Sequence, residues 1–545
     1  MNRRSRYTTW ALVAIGLTGL ALRLVYAWQP LDHLILWSLQ DDAFYYYETA
    51  QRFALGQGIT FDGLHAANGF HPLWFFFSAV AFTFVRGSAG VQAMLTLAAV
   101  LDTLTIFVLY RTVERLTGKR VLALGVAAFW AWNIRIVWMA MSGLETALST
   151  LLIALLTYET IDALLARRVR PWRLGSLIGL TLLARTDGIV LVGVAAIVLA
   201  SLGRRVWRRI ALGLALGAAI VAPWLIWNLA RFGTMMQVSG LAIPAAQWDM
   251  FYRQHPDATL LTLAGDVLTR TIGAIPTSLG LMFILRPNAI ALGIGLIVAV
   301  ALGVALVQHI RAASWWALGS RLRSNGRVIA LLVLWPLAFW LAHAGFRRGF
   351  RFDYNAAITP AIFALIGLLI GVLFDPIRAR LSRAFLVAVP VALAGLLVMS
   401  SIDLLGNEKL LWERGPLETA SWIRAHLPVG EAIGSFNSGI IAFWLEQPVI
   451  NLDGVINNSA YAAARAGRLG CYVVESGIRY LTDYFASDAP DAPFHLAEWA
   501  TDWGYRPQLR AIYAKLYTPE SYFGCCPWHV VYQVIPPATP PPECQ

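Results

Sequence analysis

The chain has 545 residues, 58% of them hydrophobic and only 14% charged, with a mean hydropathy of +0.61. That balance excludes a water-soluble globular protein and reads as a polytopic membrane protein. The formal net charge of +12 does not mark a nucleic-acid binder: residues 402–545 hold 9 Lys and Arg against 15 Asp and Glu. The positive excess therefore lies in residues 1–401, clustered in short loops between apolar runs, as in cytoplasmic loops.

In chain order, MNRRSR precedes an apolar run from Thr9 to Trp28 that lacks an A-x-A-like cleavage site. It reads as a retained first span with a cytoplasmic N-terminus. About 20 apolar residues at ~1.5 Å each cross a hydrocarbon core of roughly 30 Å, which delivers the chain to the outer face near Gln29-Pro30. The first outer loop, 29–71, holds the polar, chemically dense stretch DDAFYYYETAQRFALGQGITFDGLHAANGFHPLW from Asp41 to Trp74. Paired acids Asp41 and Asp42 open an amphipathic helix whose aromatic run, Phe44 to Tyr47, reads as an interfacial anchor. Gly56 and Gly58 end the helix, turns follow at Asp62-Gly63 and Asn68-Gly69, and His71-Pro72 opens the next apolar segment.

Further apolar runs cover 72–85, 90–112, 121–133 and 146–166. If the basic segments 111–120 and 167–173 are both cytoplasmic, one of these runs is not a simple crossing, and 72–85 is the shortest. Segment 174–202 is bracketed by RRVRPWR and GRRVWRR and interrupted by Arg185-Thr186-Asp187-Gly188, which predicts two half-length helices dipping in from the cytoplasm. More spans are expected at 210–229, within 264–308, and at 328–345, 355–374 and 384–401, for roughly 10–13 membrane helices in all. Segments 228–259 and 345–355 then fall outside. From 402 onward charges mix and apolar runs shorten, which predicts an outer α/β or α+β domain over 402–545 behind a membrane module of 1–401. All four cysteines lie in that part, where a disulfide is plausible.

An acid at the membrane interface flanked by tyrosines is partly desolvated, which makes Asp41 or Asp42 a usable general base. The plainer reading is a helix N-cap, and because successive helical side chains point about 100° apart, one acid can cap while the other faces a cavity. Glu145 in SGLETAL, with Arg185 and Asp187, are costly ions inside the membrane and hence substrate-site candidates. Their structural alternatives are a helix cap for Glu145 and a mutual ion pair for Arg185 and Asp187, while Asp102 reads as a satisfied buried polar group. In GFRRGFRFDYN, Arg347, Arg348 and Arg351 stand on the outer face against the positive-inside trend, which suggests an anionic ligand gripped by guanidinium groups, or else salt bridges to nearby acids. His65 and His71 lack a third nearby His or Cys and read as hydrogen-bonding residues rather than metal ligands.

The acidic pair, the aromatic helix, the second span opening with Pro and the outer C-terminal domain resemble the type C (GT-C) glycosyltransferases. DDAFYYYETAQRFALGQGITFDG, NGFHPLW, SGLETAL, LARTDG, PWLIWNLARFGTMMQVSG and PVINLDGVINN are similar to bacterial relatives of the dolichyl-phosphate-mannose protein mannosyltransferases, lipid A aminoarabinose transferases and cell-wall arabinofuranosyltransferases. The resemblance implies a polyprenyl-phosphate sugar donor, a glycan, lipid or protein acceptor, and a first-loop Asp as catalytic base. It implies substrate-binding roles around that base, for which Tyr45, Tyr46, Asn68, His71, Glu145, Arg185, Asp187, the three arginines and Tyr354 are the candidates. Relatives often carry an aromatic pair after the basic residue of the late outer loop, whereas this chain has Arg351-Phe352-Asp353-Tyr354. An inverting single displacement needs one base and no metal, although paired acids leave a divalent ion possible. The rival reading is a transporter or flippase of a lipid-linked or anionic solute, but such proteins place charges at the midplane and show repeated halves.

Overall fold

A computed structural model describes residues 3–283, 324–347, 352–373, 410–496, 503–517, 526–539 and 541–544. The protein is a polytopic helical membrane module carrying a small sheet domain at its C-terminal end. Helices α1 (Arg3–Ala27), α2 (Leu31–Trp37), α3 (Asp41–Ala54), α4 (Pro72–Phe84), α5 (Gly87–Thr117), α6 (Arg120–Trp132), α7 (Ile134–Ala140) and α8 (Thr146–Ala166) come first. They are followed by α9 (Pro171–Ala184), a 3-10 turn at Thr186–Gly188, α10 (Ile189–Ala200), α11 (Arg204–Phe232), α12 (Val238–Gln254) and α13 (Leu260–Phe283). Helices Gly326–Gly345 and Thr359–Leu373 complete the described part of the membrane module.

Among the described residues five helices are long and apolar enough to cross a membrane, or six if α6 and α7, bent by 59° at their junction, form one broken span. The expected break at Arg185–Gly188 is present and separates two half-length helices. The run at 72–85 is a helix of only 13 residues. The expected runs at 284–308 and 384–401 lie outside the described residues. In segment 228–259, expected outside the membrane, α11 continues to Phe232 and α12 fills most of the remainder. Apolar runs report where lipid or core is met, whereas a helix continues through polar residues as long as its backbone bonds close.

Arg23 of α1 lies fully buried in the membrane module against Asp102 of α5, with Arg23 Nη2 2.5 Å from Asp102 Oδ2. Trp130 Nε1 donates to the other carboxylate oxygen at 3.3 Å. Asp102 is thus a satisfied buried acid that ties α1, α5 and α6 together, since a buried charge persists only when paired and hydrogen-bonded.

The terminal domain is a five-stranded mixed sheet in the order β2-β1-β3-β5-β4, built from β1 (Ala432–Ser435), β2 (Val449–Asn451), β3 (Ile478–Phe485), β4 (Gln508–Leu516) and β5 (Trp528–Ile535). Strand β1 runs parallel to both β2 and β3, and β5 pairs antiparallel with β3 and β4. Its core gathers Ile450, Leu452, Val473, Leu481, Phe485, Val530 and Tyr532. A Cys471–Cys544 disulfide ties the C-terminal tail to it.

Helix α3 lies between these two bodies. Its aromatic run does not anchor in lipid: Phe44, Tyr45, Tyr46 and Tyr47 are all buried. Phe44 packs on Phe443 and Trp444 of the terminal domain, with ring centroids 5.1 and 5.8 Å away. The Tyr47 hydroxyl and the Trp74 indole both donate to the Gly143 carbonyl, at 2.9 and 3.0 Å. Gly143 has φ of +81°, and a Cβ there would come within 2.7 Å of Ala43 Cβ, so only glycine lets the SGLE loop lie this close to α3.

Candidate active site

The two first-loop acids have different surroundings. Gln40 is extended, and its N–H donates to Ser142 O, so α3 begins at Asp41 with both acids in its first turn, where they complement the helix dipole. The Asp41 side chain is buried and points into the terminal domain. Its two oxygens accept the backbone N–H groups of Gly439 and Ile440 at 3.0 and 2.7 Å. Glu413, a buried acid of the terminal domain, stands beside Asp41. Asp42, one position on, is half-buried.

Beside Asp42 the terminal domain places Asp453, in the LDG turn after β2; Asp483, on β3, stands near Asp41 and Asp453. Asp483 is enclosed: Oδ2 accepts Phe436 N at 2.8 Å and Asn437 N at 2.7 Å, and Oδ1 accepts Asn437 Nδ2 at 3.0 Å. Desolvation lifts Asp41 and Glu413 above the ordinary carboxylate range, and each sits in the field of the other acids. Desolvation also pushes Asp453 up to about 8, with Asp42 and Asp483 adding to the shift. Tyr45 closes this seam, its hydroxyl 3.4 Å from Asn451 Nδ2.

A second cluster lies at the start of α8 and the break between α9 and α10. Glu145 does not cap its own helix; its carboxylate accepts the Tyr46 hydroxyl at 2.7 Å and Arg185 Nη1 at 2.7 Å. Arg185 also forks onto Asp187, Nε to Oδ1 at 3.2 Å and Nη2 to Oδ2 at 2.7 Å, and lies over the Tyr354 ring at 5.1 Å. Asp187 Oδ2 is 3.5 Å from His343 Nε2. His71 approaches Glu145 at 3.8 Å through Nε2, while Gln237 Nε2 lies 3.1 Å from its Nδ1.

Tyr46, His71, Glu145, Arg185, Asp187 and Tyr354 are therefore brought together. Asn68 stands beside them: its amide donates to Asn228 Oδ1 at 3.0 Å, and its carbonyl accepts Asn458 Nδ2 of the terminal domain at 2.9 Å. Arg347 does not join. Its Nη1 donates to Asp266 Oδ2 at 2.7 Å and its guanidinium stacks 3.8 Å from the Phe251 ring centroid, so its charge is balanced on α13. Arg348 and Arg351 lie outside the described residues. His65 bonds Asp62, Nδ1 to Oδ2 at 2.7 Å.

Sequence reading missed Gln237, His343, Glu413, Asp453 and Asp483. His343 carried a signal, a lone ionisable residue inside an apolar span. Asp453 sat in a quoted string, in a DG turn. Gln237 also sat in a quoted string, whereas Glu413 and Asp483 had no local signature, because each matters only through a contact made far along the chain.

Residues 70–227 match the family model "Dolichyl-phosphate-mannose-protein mannosyltransferase", and residues 408–530 match a domain family of unknown function, DUF8728. No curated protein matches the sequence significantly. Among solved structures the chain is similar to ArnT from Cupriavidus metallidurans in the apo state, at 16% identity and a TM-score of 0.56 over 97% of this chain and 98% of that one. It is also similar to the same protein bound to undecaprenyl phosphate, at 15% identity and a TM-score of 0.53 over 96% and 98%. The Archaeoglobus fulgidus oligosaccharyltransferase follows at 15% identity and a TM-score of 0.52, over 96% of this chain and 74% of that one. Over residues 70–227 the chain thus matches a mannosyltransferase family model, and over nearly its whole length it shares the fold of these membrane-protein structures.

Proposed function

We propose that the chain transfers a sugar from a polyprenyl-phosphate donor to a hydroxyl acceptor, with Asp42 as the general base. The observation that carries this reading is the division between the first-loop acids: both Asp41 oxygens hold backbone N–H groups of the terminal domain, and Asp42 is half-buried beside them. Asp42 takes the proton from the acceptor hydroxyl as its oxygen bonds to the anomeric carbon. The bond from that carbon to the phosphate oxygen breaks, and polyprenyl phosphate leaves with the electron pair. One displacement inverts the anomeric centre, and the scheme needs no metal ion.

The match to a mannosyltransferase family model and the fold shared with an undecaprenyl-phosphate-bound protein support a lipid-phosphate donor. The Tyr46–Glu145–Arg185–Asp187 network commits its one guanidinium to two carboxylates, which suits it to fixing the sugar and acceptor rather than to neutralising phosphate. That second role is left to Arg348 and Arg351, since Arg347 is paired with Asp266. We place the reaction on the extracytoplasmic face, with the N-terminus cytoplasmic; the Cys471–Cys544 disulfide suits an oxidising compartment.

The test is transfer from labelled undecaprenyl-phosphate-linked mannose, arabinofuranose and aminoarabinose in proteoliposomes. Asp42→Asn is expected to lower kcat by about 10²- to 10⁴-fold, the usual contribution of a positioned base. Full transfer by that variant would remove Asp42 from the mechanism.

A further inference from the structure

In the terminal domain the chain leaves β1, passes through helix Gly439–Trp444 to β2 on one side, and returns as β3 on the other side of β1. The carboxyl ends of β1 and β3 therefore form a topological switch point, the place where open α/β sheets hold their ligands. Here the crevice is filled from within the protein. Asp483 occupies the β3 side, holding Phe436 N and Asn437 N. The loop after β1 continues into Gly439 N and Ile440 N, and both donate to the carboxylate of Asp41, about 400 residues earlier in the chain (sequence separations of 398 and 399).

The fit is close. A Cβ on Gly439 would lie 2.1 Å from the Asp41 carbonyl oxygen and 3.0 Å from Asp41 Oδ2, so the glycine is what admits the first turn of α3. Asp41 thus caps helix Gly439–Trp444 of the terminal domain, and Asn451 donates to the Tyr45 hydroxyl across the same edge.

Resting on the assignment of Asp42 as base, we propose that Asp41 is a positioning residue: its carboxylate fills the ligand crevice of the terminal domain, and that grip sets the orientation of the helix turn from which Asp42 acts. The terminal domain is then part of the catalytic apparatus, because it fixes where the base points.

The experiment uses full-length protein in proteoliposomes and two readouts, amide hydrogen exchange and transfer kinetics with the three labelled undecaprenyl-phosphate sugars. Asp41→Asn and Gly439→Ala are each expected to speed exchange at the amides of Asp41, Gly439 and Ile440. Both should lower kcat by about 10- to 100-fold, as for a misplaced reacting group, with KM for the donor within about twofold. Asp42→Asn should leave those amides as protected as in the wild type. Adding Asp41→Asn to Asp42→Asn should cost nothing more, since Asp41 acts through Asp42, whereas a merely structural loss would still lower the residual rate. Unchanged exchange in Asp41→Asn overturns the proposal. So does an Asp41→Asn enzyme as inactive as Asp42→Asn with its amides still protected, which would make Asp41 the base. Full activity of Asp42→Asn instead defeats the base assignment, and the exchange arm still reports whether Asp41 holds the two bodies together.

Discussion

Two buried polar clusters flank α3 and handle charge in opposite ways. On the terminal-domain side Asp41, Asp42, Glu413, Asp453 and Asp483 gather at one seam, where Asp41 and Asp483 accept backbone and amide N–H groups and the Ser435 hydroxyl. On the membrane side Arg185 sits between Glu145 and Asp187, so charge is balanced by charge. Burial raises Asp41, Glu413 and Asp453 above the ordinary carboxylate range. A saturated ion network has little freedom to titrate, which is the property positioning needs.

The largest effects should separate the two clusters by kind. Asp42→Asn is expected to remove about 10²- to 10⁴-fold of transfer with the melting temperature unchanged. Arg185→Ala should do the reverse in kind, costing about 3–5 kcal/mol of stability because Glu145 and Asp187 are left buried without their cation. Thermal unfolding in detergent measures it, and a variant as stable as the wild type would show that the network is not the structural tie described. Tyr46→Phe removes the hydroxyl that bridges Glu145 and the His71 N–H and should cost about 1–3 kcal/mol by the same assay.

The smallest effect is a slope. Asp453 is raised to about 8, so above the ordinary carboxylate range, near 4, the folded state keeps a proton that the unfolded state releases. Its contribution to stability is therefore present at low pH and lost as pH rises through about 8. The melting temperature should fall between pH 5 and 8.5, and Asp453→Asn should flatten that fall. A melting temperature that rises over this window would show the seam acids to be stabilised as carboxylates.

Much of the membrane module was legible, because apolar runs of about 20 residues and a broken one at Arg185–Gly188 reflect a solvent that tolerates little else. Glu145, Arg185 and Asp187 stood out for the same reason, as ions where ions are costly. For Arg347 the sequence offered a ligand or a salt bridge, and the described pairing is with Asp266, which lies 81 positions away and so gives no local signal.

By itself the sequence determined that this is a membrane protein, where α3 starts, and that two acids share its first turn. Only the tertiary structure decided that Asp41 and Asp42 have different tasks. Adjacent residues on a helix diverge by about 100°, and what each meets depends on segments that local pattern cannot pair. The β1 loop and Glu413 reach Asp41 only because the terminal sheet folds back onto the first loop.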